Sequence, residues 1–148
     1  MPAPRVQPAW AFEPTRERVY LFGGYTEASS PYLGDTWVLD LRGTARWTRF
    51  DAGASGVSPP PRTQAVGGWD AVHRRFVVTG GFAQGTLLTD AWAFYPDGPR
   101  WEQLDTRGAA PDARYTDRRG AFDGPGRRMV VAFTTQEGLR LEALDLTA

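Results

Sequence analysis

Val19-Tyr20-Leu21-Phe22-Gly23-Gly24 and Phe76-Val77-Val78-Thr79-Gly80-Gly81 are two versions of one stretch, an apolar run of strand length closed by a glycine pair. Their offset is 80 − 23 = 57, and the same shift carries Pro4-Arg5 onto Pro61-Arg62, Phe12-Glu13 onto Trp69-Asp70 and Arg18 onto Arg75. A fixed offset over a whole segment marks an array of repeated supersecondary units, and it decides the fold before any local propensity is weighed.

Working outward, Gly34-Asp35-Thr36-Trp37 aligns with Thr89-Asp90-Ala91-Trp92 at 90 − 35 = 55, and Arg46-Trp47 with Arg100-Trp101 at 101 − 47 = 54. Short loop insertions account for the drift. A third copy begins at Ala113-Arg114 (114 − 62 = 52), passes through Phe122-Asp123 and reaches Arg127-Arg128-Met129-Val130-Val131 (128 − 75 = 53). It has Phe133-Thr134 where the glycine pair is due, and Leu141 to Leu146 keeps a strand-like pattern without Asp-x-Trp. The third copy is therefore degenerate, with no residues left after it for a fourth strand.

Within one copy, Thr63 to Trp69 and Arg75 to Thr79 read as two strands joined by a short turn, and the third copy places Asp123-Gly124-Pro125-Gly126 at that turn. Asp-Gly and Pro-Gly favour turns because glycine accepts positive φ and proline presets its own. The runs Val19 to Phe22, Phe76 to Val78 and Met129 to Val131 lack polar alternation, which predicts strands buried on both faces. Strands around Trp37 and Trp92, then Trp47 and Trp101, bring the count to four per copy. The expected fold is all-β, and four-stranded antiparallel units at a period near 55 residues point to propeller blades.

On Gly23-Gly24, Gly80-Gly81, Trp47, Trp101 and Pro61-Arg62, the chain resembles the kelch-repeat family, and with Asp35-Thr36-Trp37 and the Asp70-to-Arg75 turn it is similar to the form found in many bacterial proteins. The resemblance covers nearly the whole chain. It implies a single domain over 1–148, with blades at about 5–51 and about 62–105 and an incomplete blade at about 114–148. A propeller ring takes about four to eight blades, so this is a partial propeller or a ring completed by an oligomer. Either the chain is a piece of a longer propeller, or copies associate, two chains of three blades making one ring.

Composition narrows the function. All 17 basic residues are arginine, and lysine, asparagine, isoleucine and cysteine are absent, a pattern of G/C-rich coding more than of a nucleic-acid site. The 17 acidic residues cancel them, leaving no global field toward nucleic acid or an anionic membrane. Without cysteine there are no disulfides, thiolate zinc sites or thiol nucleophiles. No segment has the length of a signal peptide's apolar core or a membrane span, so a cytoplasmic location is the default expectation.

In an up-and-down four-stranded blade, the loops from strand 2 to 3 and from strand 4 to the next strand 1 emerge at one end. That end is expected to carry Arg5, Arg62 and Arg114 beside Tyr25, Tyr32, Phe82 and Tyr115, a set suited to acidic or aromatic side chains of a protein or peptide partner. Arginine recurring at one position of every blade has a second reading, a structural residue bonding loop carbonyls. Asp35 and Asp90 recur in the same way and read as strand-start residues. His73, the only histidine, falls in a turn at the opposite end and is expected to be exposed.

No catalytic residue, metal site or cofactor is assigned. The chain has no Gly-x-Ser-x-Gly elbow, phosphate loop or His-Glu-x-x-His helix. An alternative, a carbohydrate- or small-molecule-acting enzyme, would draw on the loop carboxylates Glu27, Asp51, Asp105 and Asp112. A purely architectural assembly module is the third class. The leading expectation is a protein-binding scaffold.

Overall fold

The computed structural model describes residues 1–27, 31–50, 56–107, 118–124, 128–135 and 137–146. The first sheet is built in chain order from β1 (Ala9–Glu13), β2 (Arg18–Phe22), β3 (Thr36–Asp40) and β4 (Arg46–Phe50). The second uses β5 (Val66–Asp70) and β6 (Arg75–Thr79), then, past the small hairpin β7 (Phe82–Ala83) and β8 (Thr86–Leu87), β9 (Ala91–Tyr95) and β10 (Arg100–Leu104). The third contains β11 (Thr106–Arg107), β12 (Arg118–Asp123), β13 (Arg128–Thr135) and β14 (Gly138–Leu146), in the spatial order β11-β14-β13-β12. All pairings are antiparallel.

β1, β5 and β12 lie on the inside of the array, β1 against β5 and β5 against β12. That is the radial arrangement of propeller blades. At Gly67, a Cβ would fall 2.6 Å from the backbone nitrogen and oxygen of Trp10, so only glycine lets β1 and β5 approach so closely.

Two apolar layers lie between the sheets. In the first, Ala9, Ala11, Tyr20, Phe22 and Val38 meet Phe76, Val78, Trp92, Phe94 and Trp101. Tyr20 stacks on Trp69 at 5.1 Å, and Trp101 meets Phe22 edge-on at 5.0 Å. In the second, Val66, Val77, Ala91, Ala93 and Leu104 meet Met129, Val131, Phe133 and Leu144. Wide aromatic rings suit these gaps because twisted sheets diverge and leave broad spaces to fill.

Two expectations change. Burial on both faces holds along all of β6, whereas in β2 only Tyr20 and Phe22 are buried, and β13 alternates. The reason is position: β6 belongs to the middle sheet, while among the described residues the first and third sheets each have a neighbour on one side only. The outer place of the third sheet, expected to be empty, is taken by β11 from upstream, pairing Thr106 with Leu146 and Arg107 with Asp145. A single residue, Asp105, separates it from β10, so the chain steps from the rim of one sheet to the rim of the next.

Candidate functional site

The glycine pairs set the geometry of the long-loop end. Gly23 and Gly24 have φ of 68° and 108°, and Gly80 and Gly81 have 65° and 105°, the left-handed region that side chains resist. A Cβ on Gly23 would lie 2.5 Å from the Arg62 carbonyl oxygen. Around these pairs, Gly24 N–H donates to Arg62 O (2.8 Å) and Arg62 N–H to Leu33 O (3.0 Å). The loop between β2 and β3 is thereby bonded to the segment leading into β5, and both emerge at one end.

Two of the recurring arginines, Arg5 and Arg62, lie beneath this loop layer. Arg62 sends two guanidinium bonds to Asp90 (2.6 and 2.8 Å), one to Gly80 O (2.9 Å) and one to Pro60 O (3.0 Å). Arg5 repeats the set with Asp35, Gly23 O and Ala3 O. The indoles of Trp37 and Trp92 each donate to the same aspartates at 2.6 Å. Burial pushes the Asp35 and Asp90 carboxyls up, but the arginine and indole hydrogen bonds outweigh it and hold both below the usual carboxylate range. The Arg62 side chain is 0% exposed and that of Arg5 5%, so neither presents its charge to solvent. Each arginine clamps a glycine turn to the start of the third strand of its sheet.

Three of the expected aromatics come together above these clamps. Tyr25 meets Tyr32 edge-on at 5.7 Å, and Tyr32 meets Phe82 at 6.2 Å, forming a row across the first two sheets. Backbone bridges fix it: Val6 with Tyr25 (3.0 and 2.9 Å) and Thr63 with Phe82 (3.0 and 2.8 Å). Tyr32 also borders a cleft of about 510 Å³ whose walls include Phe50, Ser58, Pro61 and Trp101. Sequence reasoning did not reach this cleft, because Phe50 and Trp101 belong to the rims of different sheets and no repeat position links them. Arg114 and Tyr115 lie outside the described residues.

At the opposite end, Asp70 is fully buried and accepts from the backbone N–H of Val72 and His73, and from Arg75 Nε at 2.9 Å. His73, expected to be exposed, is 28% exposed, with Nδ1 2.7 Å from Asp70. The turn recruits it because a buried carboxylate needs several partners to offset desolvation. Asp70 is held below its ordinary range: burial raises it, and His73 and Arg75 more than reverse this. In the first sheet, Tyr20 donates its phenol to Glu13, and burial, then that hydrogen bond, pushes the phenol far above its usual value.

Of the loop carboxylates, Glu27 and Asp105 are exposed, and Asp51 and Asp112 lie outside the described residues. Among the described residues, no group of three or more His, Asp and Glu is gathered as a metal would require. No helix among them is long and apolar enough to cross a membrane.

Radial four-stranded sheets, the first two clamped by Arg, Asp, Trp and paired glycines, define a kelch-type propeller array. The chain belongs to the Kelch-repeat family: the model described as the KLHDC2/KLHL20/DRC7 Kelch-repeats domain matches residues 1–144. Such domains generally serve as protein-binding scaffolds. A comparison with curated proteins finds no match.

Proposed function

We propose that the long-loop end binds a protein or peptide through the row Tyr25, Tyr32 and Phe82 and the cleft beside Tyr32. The observation that carries this is the ring contact between Tyr32 and Phe82 at 6.2 Å, which joins aromatics from the connections of two successive sheets into one surface. Tyrosine and phenylalanine bury large area at little entropic cost, and an apolar or aromatic side chain of the partner suits a cleft walled by Phe50, Pro61 and Trp101. The arginines act as the platform that sets the loops and not as the contact. In this reading the chain is one domain of three blades, about 5–51, 62–105 and 114–148, with β11 added to the third. Another copy of the chain is its second partner.

The test is selection of peptides from a random library on the immobilised chain, then titration of one enriched peptide. Tyr32→Ala and Phe82→Ala are each expected to weaken it roughly tenfold or more, as central aromatic contacts do. His73→Ala, at the opposite end, is expected to leave it unchanged. Equal binding by both aromatic variants would sink the proposal.

A further inference from the structure

Among the described residues, the first and third sheets each leave one face uncovered. Cross-strand pairing places Phe12, Val19, Leu39 and Trp47 in one row of the first sheet, and Trp10 beside them. On the third, Ala121, Val130 and Ala143 form one row, and Ala132 pairs with Leu141 in the next. Trp10 is 60% exposed, Phe12 45% and Leu141 67%. Contiguous exposed apolar faces of this kind mark interfaces.

What fits these faces is written in the junctions inside the chain. Phe12, Leu39 and Trp47 hold the repeat positions of Trp69, Phe94 and Trp101, which pack the second sheet onto the first. Ala121, Val130 and Ala143 hold the positions of Gly68, Val77 and Ala93, on the face of the second sheet that receives the third. One open face is thus the inserting half, and the other the receiving half, of a junction the chain makes twice.

We propose that a second copy docks its first sheet on the third sheet of this one, and reciprocally, closing a two-chain ring of six sheets. This deepens the reading of the protein as a self-associating scaffold. Six blades fall within the range of about four to eight that closed rings use, and a two-fold axis makes both closing junctions identical. The contacts carry over by position. Trp101 donates its indole N–H to Thr36 Oγ1 at 3.1 Å and packs on Phe22, and Phe22 and Thr36 are a cross-strand pair whose counterpart in the third sheet is Ala132 and Leu141. Trp47 of one copy accordingly meets Leu141 of the other.

Trp10 gives this junction its own shape. It stands where the internal junctions have Gly67 and Gly120, at which a Cβ would collide with the Trp10 backbone and with the Val66 side chain respectively. An indole there holds the inner strands further apart than β1 and β5. The closing junction is a wedge open toward the axis, filled by Trp10.

Light scattering after size-exclusion chromatography of the full chain tests this. The expected mass is twice 16.4 kDa. Trp47→Arg and Leu141→Asp should each give monomers, and mixing the two should restore dimer. The mixed pair has one unaltered junction and one in which Arg faces Asp, and its recovery shows that both variants are folded. Should Trp47→Arg fail to fold, Phe12→Asp, at a more exposed position, replaces it, and mixing still leaves one junction unaltered. A monomeric parent, an open-ended polymer, or a Leu141→Asp protein that stays dimeric would each overturn the proposal. Tyr32→Ala is expected to leave the mass unchanged while weakening peptide binding, which separates failure here from failure of the loop-face site.

Discussion

Asp90→Ala removes at one stroke the acceptor of two Arg62 hydrogen bonds (2.6 and 2.8 Å) and of the Trp92 indole N–H (2.6 Å). The Arg62 side chain is 0% exposed, so its charge stays buried without a counterion. Breaking a buried pair from one side costs about 3–5 kcal/mol. Asp90 is 20% exposed, so water reaches the emptied space and the lower part of that range, about 3–4 kcal/mol, is the expected loss. A domain holds about 5–15 kcal/mol in total, which makes this a large fraction. Urea unfolding followed by the fluorescence of the six tryptophans reads it directly. With a slope of about 2 kcal/mol/M, the midpoint should fall by about 1.5–2 M. The double variant Arg62→Met, Asp90→Leu removes both charges and should recover most of the loss, since apolar replacement of a buried pair is often close to neutral. A single variant whose midpoint stays within about 0.3 M of the parent would refute the clamp as the element that holds the repeat together.

Gly67→Ala places a Cβ 2.6 Å from the Trp10 backbone, and overpacking of this kind should cost about 1–3 kcal/mol in thermal unfolding. Gly124→Ala, with nothing within 4 Å of its Cβ, is the control, and equal melting of the two would contradict the close approach of β1 and β5. Asp35, Asp70 and Asp90 all have folded-state pKa values below the ordinary value, so their stabilisation is complete above the unfolded pKa of about 3.9. As the pH falls below about 4 the unfolded chain takes up protons first and stability declines until the folded carboxylates also protonate. The urea midpoint should be level from about pH 5 to 7 and drop below about pH 4. A midpoint unchanged at pH 3 would count against those ion pairs.

Much of the fold was legible because its determinants are local and repeat. Gly23-Gly24 and Gly80-Gly81 announce turns by their own backbone freedom, and runs such as Phe76 to Val78 announce buried strands by the lack of polar alternation. The third copy's lost glycine pair was legible too. The origin of the third sheet's outer strand was not, because Thr106 and Arg107 lie upstream of that copy and pair only with the end of β14. The expectation of an exposed His73 missed its hydrogen bond to Asp70, since a turn sequence does not reveal how deeply its aspartate is buried.

For the candidate site, the sequence named Tyr25, Tyr32 and Phe82 by loop position, and their mutual contact needed the fold. It left Arg5 and Arg62 open between contact and scaffold. The structure places them in clamps because the deciding partner of Arg62 lies 28 positions away, where only the folded sheet brings Asp90 within 2.6 Å. The junction bond from Trp101 to Thr36 spans 65 positions. Sequence by itself determined the repeat, the strands and the kinds of residue at each turn, since period and turn chemistry act over a few neighbouring residues. Which faces are covered, which charges are neutralised and which aromatics meet was decided by tertiary structure, because these depend on distances between segments far apart in the chain.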